Sequence, residues 1–317
     1  MTDRIDDFYF FMTKREGIRL AKEQGKPRPW TDDPILQKYK FTNVKREHDW
    51  TTQQFSRWYR DHVPLSGRPE VYLFNCAVAR YIGRWETVSA LGWTENFSAD
   101  TMAEFLESLE RGGNVIFTGA YVITNQGLRD TKINVVIRSF LQDLWDQKEE
   151  ITEVAHQTDS WRATAKRMAR ITGYGGTGFM TKEILLDTML TEGFWPNGEK
   201  PADFNQWSPA GPGARRGLNR LFGRRLEKNI VPKQALEEMQ EIYEYRHNFW
   251  PLGWVGLDLS DIQFQLCEFD KYERVRLGEG RPRSTYTPRG EMPAKKSRAL
   301  DARKRRASKR EENTQSC

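Results

Sequence analysis

Gly211, Pro212 and Gly213 set a rigid turn, and a helix is predicted to start near Ala214 with Arg215 and Arg216 in its first turn. Two cations there oppose the helix dipole. Such a local conflict is expected at functional sites. An anion at that terminus, held by Arg215, Arg216 and free backbone N–H groups, would resolve it; an exposed arginine pair is the plainer alternative. A second phosphate-ready segment is Ile171-Thr172-Gly173-Tyr174-Gly175-Gly176. It lies between a basic helix, 160–170, and a helix predicted over 177–190. Glycines let the backbone turn tightly and approach a phosphate, and the next helix start offers N–H groups to it. This helix-hairpin-helix pattern makes Gly173, Tyr174, Gly175 and Gly176, with Lys166 and Arg167, candidate DNA contacts. A plain inter-helix turn and a solvated basic face are the alternatives. Two carboxylates lie near these segments. Asp187 sits on a mainly apolar helix and Asp203 in the loop before the Gly-Pro turn. Either suits a general base or an orienting group, and a core carboxylate bonded to a neighbouring helix end is the other reading of Asp187.

Three further clusters are charged: Asn43 and Arg46 within 41–47, Arg80 and Arg84 around Tyr81, and Glu268 and Asp270 within 267–271. Each alone reads as solvated or salt-bridged surface. Cys76, Cys267 and Cys317 form no CxxC pair, and their odd number argues against a disulfide framework. His48, His62, His156 and His247 have no metal-ligand spacing, which argues against a zinc site. No cofactor is expected, although a carboxylate-bound magnesium stays open. There is no GxxxxGK[ST] loop, no GxGxxG after a strand and no GxSxG elbow. Nucleotide kinases and serine hydrolases are thereby disfavoured.

The elements that must position these residues read as helices. Apolar side chains recur at helical spacing over 3–20, 51–62, 70–82, 99–110 and 131–147. Thr31, Asp32 and Asp33 before Pro34 form a cap for a short helix. Pro232 opens another, to about Tyr245. Ser260 and Gln263 make a capping-box pattern for the last helix. The stretch 113–124 is β-branched yet surrounded by helices, and is read as a buried helix. The fold expected is all-α, with a helical catalytic domain over 1–276.

Of 317 residues 38% are hydrophobic, a modest share, but the 11 Trp residues bury much area each, so a core is feasible. The same rings could stack on bases. The net charge of +6 suits a polyanionic partner, though the last thirty residues carry the excess and leave the body near neutral. From 277 to 317 apolar periodicity stops. The segment 288–312 is rich in Lys, Arg, Ser and Ala, and is expected to be a disordered basic tail. A sequence-independent DNA tether and a solubilising tail both fit it. The chain opens without an apolar signal and has no run of 18 apolar residues, so no membrane span and a cytoplasmic location are expected.

FTNVKRE, GNVIFTGAY, ITGYGGTGFMTKEILLD, AGPGARRGL and QLCEFDKYERV, in this order, resemble one family over about residues 5–276. It is the helical-domain family of phage thymine-hypermodification enzymes. It includes the C-terminal helical domain of the 5-hydroxymethyl-deoxyuridine DNA kinase. It also includes stand-alone α-glutamyl/putrescinyl-thymine pyrophosphorylases, or amino acid:DNA transferases. The resemblance implies a relation to helix-hairpin-helix DNA glycosylases. It implies DNA as partner, the kinase as pathway neighbour and, for a phage protein, the host cytoplasm. The lack of a phosphate loop favours the stand-alone branch. There an amine from an amino acid or polyamine would replace the pyrophosphate of 5-pyrophosphoryloxymethyl-deoxyuridine. Gly211, Gly213, Arg215 and Arg216 would hold the leaving pyrophosphate, and Asp187 or Asp203 would deprotonate the amine. Removal of a modified base by a glycosylase-like reaction, and a non-catalytic module that presents DNA to the kinase, are the competing expectations.

Overall fold

The computed structural model describes residues 2–282 and 284–287. The basic segment 288–312, with the rest of the tail to 317, lies outside them. The described chain is all-α: among the described residues the only extended pairing is a single antiparallel bridge, Tyr39 with Thr285. The helices are α1 (Thr2–Glu23), α2 (Pro34–Lys38), α3 (Trp50–Ser66), α4 (Pro69–Ile82), α5 (Trp85–Leu91) and α6 (Ala99–Arg111). There follow α7 (Lys132–Asn134), a π-helical stretch Val135–Leu141 and α8 (Gln142–Trp145), without a break. The rest are α9 (Lys148–Thr158), α10 (Trp161–Met168), α11 (Phe179–Asp187), α12 (Pro212–Leu221), α13 (Pro232–Glu244), α14 (Arg246–Phe249) and α15 (Leu259–Arg276). No described helix is long and apolar enough to cross a membrane.

Local chemistry accounts for most boundaries. Asp33 caps α2 by accepting from Ile35 and Leu36 N–H at 2.8 and 3.1 Å, with Pro34 at the first helical position. Gly83 ends α4 at φ +63°, in the left-handed region open to glycine. Two expectations are corrected. The capping box of α15 is Asp258 with Asp261. Ser260 and Gln263 lie buried inside the helix instead. The stretch 113–124 is an irregular loop, not a helix. Its Thr118 N–H donates to the Ile82 carbonyl at 2.8 Å, and the Tyr121 hydroxyl donates to the Arg80 carbonyl. The loop thus satisfies the open carbonyls at the end of α4, a long-range demand that local periodicity does not express.

The apolar residues form two cores. One is built from the middle of the chain, Phe55 to Phe204. The other joins the ends: Ile5, Phe8, Phe11 and Met12 of α1 pack with Ala214 and Leu218 of α12 and Leu259, Ile262, Leu266 and Phe269 of α15. Each such fully buried large side chain contributes about 1.5–3 kcal/mol. The Tyr9 hydroxyl donates to the Ile242 carbonyl at 2.7 Å, across 233 residues of chain. Between the two cores lies a layer of charge.

Candidate functional site

Asp187 is the last residue of α11 and is fully buried. A carboxylate at a helix C-terminus meets the negative end of the dipole, and burial alone would disfavour its charge. Two arginines from distant parts of the chain offset both effects. Arg80, in the last turn of α4, donates through Nε to Oδ2 at 2.7 Å and through Nη2 to Oδ1. Arg46, on a short 3-10 turn (Arg46–His48), donates through Nη2 to Oδ1 at 3.2 Å. The Tyr59 hydroxyl of α3 donates to Oδ2 at 2.8 Å, and the Tyr72 hydroxyl of α4 donates to the Asp187 carbonyl at 2.6 Å. Burial pushes the Asp187 carboxyl up to about 7, while Arg46 and the Tyr59 hydroxyl pull it down. Arg80's fork on both oxygens favours the anion as well.

The charge continues one turn back along α11. Arg46 Nε lies 2.9 Å from Glu183 Oε2, and Lys182 Nζ lies 3.1 Å from Glu183 Oε1. Lys182 is fully buried, donates to Gln263 Oε1 of α15 and sits 3.5 Å above the centre of the Phe264 ring. Burial pushes its ammonium below the usual lysine range, against the pull of Glu183. Three cationic side chains, Arg46, Arg80 and Lys182, thus face two carboxylates. The α15 side of the centre also carries Cys267, whose thiol burial pushes up to about 12, with Lys182 and Arg216 as facing cations. That thiol is inert as a nucleophile at neutral pH.

Cys267 connects the centre to the start of α12. A Cβ on Gly213 would stand 2.9 Å from Cys267 Sγ, and one on Gly217 would stand 2.3 Å from the Leu266 carbonyl. These glycines therefore let α12 press against α15. Gly213, expected at the anion, also packs against Cys267. Gly211 is the N-cap of α12, with no side-chain cap bond at that end. Arg215 is half-buried and turns back, donating through Nε to the Ala210 carbonyl at 3.0 Å. Arg216 pairs with Asp270 at 2.9 Å and keeps 42% of its side chain exposed. Asp270 also binds Arg220 at 2.9 Å and Arg274 at 3.7 Å, so it is an ion-pair hub of α12 and α15.

The other expected residues stand apart. Asp203 caps α10: its Oδ1 accepts from Trp161 N–H at 2.7 Å, and its Oδ2 from Ser160 Oγ and Arg162 N–H at 2.6 and 3.1 Å. Three donors thus hold it at the start of α10. In the hairpin between α10 and α11, Tyr174 is fully buried and its hydroxyl donates to the Phe140 carbonyl at 3.2 Å. Gly173, at φ +96°, packs on the Phe140 ring, and its carbonyl accepts from Tyr81 and Gln126. Gly175 lies against the Ala169 carbonyl. These three hold the hairpin to the core. Gly176 and Lys166 are exposed. Arg167 is tied to Glu150 at 2.6 Å. Asn43 is a junction, accepting from Arg15 at 2.7 Å and donating to the His48 carbonyl at 2.8 Å. Glu268 accepts from Thr42 N–H at 3.0 Å. Among the described residues no group of three or more His, Cys, Asp or Glu could hold a metal ion.

The sequence reading brought out Asp187, Arg46 and Arg80 separately; the structure brings them together. It missed Lys182, Glu183, Tyr59 and Gln263. The one available signal was a Lys-Glu pair placed before the apolar run of α11.

Comparison with known proteins agrees with the sequence resemblance. The family model described as "5-hmdU DNA kinase, helical domain" matches residues 2–281. A relative named 5-hmdU DNA kinase, from Bacillus phage SP10, is 26% identical over 320 residues, covering 92% of this chain and 48% of its own length. The chain thus spans about half of that relative. No solved structure matches. With the match running from α1 past the end of α15, this chain belongs to the family of the 5-hmdU DNA kinase helical domain.

Proposed function

We propose that this chain acts in thymine hypermodification of phage DNA, transferring an amine from an amino acid or polyamine onto 5-pyrophosphoryloxymethyl-deoxyuridine. The observation that supports this reading is the meeting, at Cys267, of the buried cationic centre and the start of α12, which lacks a side-chain cap. The amine nitrogen bonds to the exocyclic methylene as the bond from that carbon to the pyrophosphate oxygen breaks. The leaving group takes the electron pair, and a base takes the ammonium proton. Arg46, about a tenth exposed and gripped by Glu183 and Asp187, meets the growing negative charge together with Arg216 and the first N–H groups of α12. Lys182, paired with Glu183, adds its positive charge on the same side. Phe264 covers it and must swing aside for substrate. Asp187 is then a positioning residue that fixes Arg46 and Arg80. No cofactor enters this reaction. A hydroxymethyluracil kinase supplies the activated base upstream, and the working place is the host cytoplasm where phage DNA lies.

The test incubates kinase-treated hydroxymethyluracil DNA with the protein and a panel of amino acids and polyamines. Nucleosides are weighed by mass spectrometry and pyrophosphate is measured alongside. An amine adduct appearing in step with pyrophosphate is expected. Release of the free modified base, or no adduct with any donor, overturns the reading.

A further inference from the structure

A cavity lies away from the Asp187 centre, with no lining residue in common with it. It has a volume of about 350 Å³ and lies beside the C-terminal half of α1, roofed by the loop 28–31 and by Tyr286. That volume is in the range of small-molecule sites, about 300–1,000 Å³. Three cationic residues line it, Arg15, Lys22 and Arg28, and no acidic one. Lys22 Nζ lies 4.7 Å from the Trp30 ring centre and 4.3 Å from that of Tyr286. The Arg28 guanidinium lies 5.3 and 5.9 Å from the same two rings. The rings stand edge to face, 6.3 Å apart. Trp30 is fixed by its Nε1, which donates to the Lys26 carbonyl at 2.7 Å. Tyr286 is fixed by its N–H, which donates to the Lys38 carbonyl at 2.9 Å.

Arg15 supplies a further sign of a ligand. It is 93% buried, and its Nε and Nη2 donate to the Thr42 and Phe41 carbonyls and to Asn43. Its Nη1 is buried with no hydrogen-bond partner. A buried unpaired donor of this kind is costly unless an acceptor reaches it. The wall therefore asks for a flat ring, a negative group and a hydrogen-bond acceptor together. A polyamine or other cation is refused by three positive residues with no carboxylate among them.

We propose that this cavity is a second nucleic-acid subsite, which takes one unpaired nucleotide of a DNA strand: the base stacks on Trp30 and Tyr286, the phosphate lies on Lys22 and Arg28, and an oxygen accepts from Arg15. It shares no residue with the Asp187 centre and goes beyond the transferase reading. Two observations favour a strand over a free nucleotide. The cavity opens to solvent beside the end of the described chain, and the Lys- and Arg-rich segment 288–312 follows Tyr286 directly in sequence.

The experiment needs no turnover. The full chain is titrated with a short single-stranded oligothymidylate carrying one 2-aminopurine, and separately with thymidine 5′-monophosphate. Stacking is read as fluorescence quenching. Tight, quenched binding of the oligonucleotide is expected, weakened about fivefold or more by Trp30→Ala and by Tyr286→Ala, as for loss of one stacking ring. Lys22→Gln should lower the slope of log affinity against log salt by about one. Equal affinity for the mononucleotide supports the site but assigns it to a free nucleotide. Tyr286→Ala lies outside both cores, so its fold is checked simply by an unchanged melting curve. Binding and quenching that are the same in Tyr286→Ala as in the parent, or no binding of either probe, overturns the proposal.

Discussion

Asp187 gathers donors from α3, α4 and the 46–48 turn, so replacing it tests the whole centre at one atom pair. Asp187→Asn keeps the shape but leaves Arg46 and Arg80 facing a neutral amide. Breaking a buried ion pair from one side costs about 3–5 kcal/mol. The expected outcome is a drop of that size in urea-unfolding stability, with loss of amine transfer; a change below about 1 kcal/mol would show that the arginines find other partners. Asp49 gives a prediction in pH. Burial pushes its carboxyl from 3.8 up to about 6, against the Asn43 N–H and Arg15. Between roughly pH 4 and 6 the native state holds a proton that the unfolded chain has released, so stability falls as pH rises through that window and levels off above it. Asp49→Asn should flatten this part of the profile, measured as urea midpoints at pH 4.5, 5.5 and 6.5. The centre was only partly legible in sequence. Asp187 and the two arginines stood out by type, but the partner of each is more than a hundred residues away. Lys182 was hidden because a lysine in a helix ordinarily reads as solvated.

Helices were legible wherever apolar spacing is set by packing on one face, as in α3 and α6. The failures have a common cause in contacts that lie elsewhere in the chain. The loop 113–124 is fixed by Thr118 and Tyr121, which bond to carbonyls at the end of α4. Gly213 and Gly217 are required by the crossing of α12 with α15, which spacing along the chain does not show. The stretch predicted as one helix over 131–147 contains a π-helical segment, and Phe140 within it is the ring on which Gly173 packs. Two glycine substitutions of opposite sign test this distinction. Gly217→Ala would put a Cβ 2.3 Å from the Leu266 carbonyl, so α12 must move. A loss of about 1–3 kcal/mol is expected. Gly17, inside α1, has no atom within 4 Å of its added Cβ. Gly17→Ala should raise stability by about 0.5–1 kcal/mol through helix propensity. Thermal melts of both variants decide, and a stable Gly217→Ala would mean that the crossing is not tight.

At the scale of the molecule, the two cores differ in how their parts are ordered along the chain. The middle core joins helices that follow one another. The other needs α1 to meet α12, α13 and α15, as in the bond from Tyr9 to Ile242. Closing so long a loop costs entropy before any contact forms, and non-local pairing slows folding. In pulse-labelled hydrogen exchange during refolding, amides of α4, α9 and α10 should gain protection before those of α1 and α15. Simultaneous protection, or α1 first, would contradict this. The bond from Lys182 to Gln263 should form late, since it joins α11 to α15.

Synthesis on a ribosome makes that order consequential. Phe8, Phe11 and Met12 leave the exit tunnel well before their covering residues in α15, which are about 250 positions downstream. At roughly 5–20 residues per second, the apolar face of α1 stays uncovered on the nascent chain for on the order of 10–50 s. During that interval α1 is a greasy amphipathic segment in search of a partner, open to chaperone capture or to the same segment of a neighbouring chain on the polysome. A translational pause between Ala210 and Leu259 would lengthen this exposure, and a faster passage through the same stretch would shorten it, with no change to the finished protein.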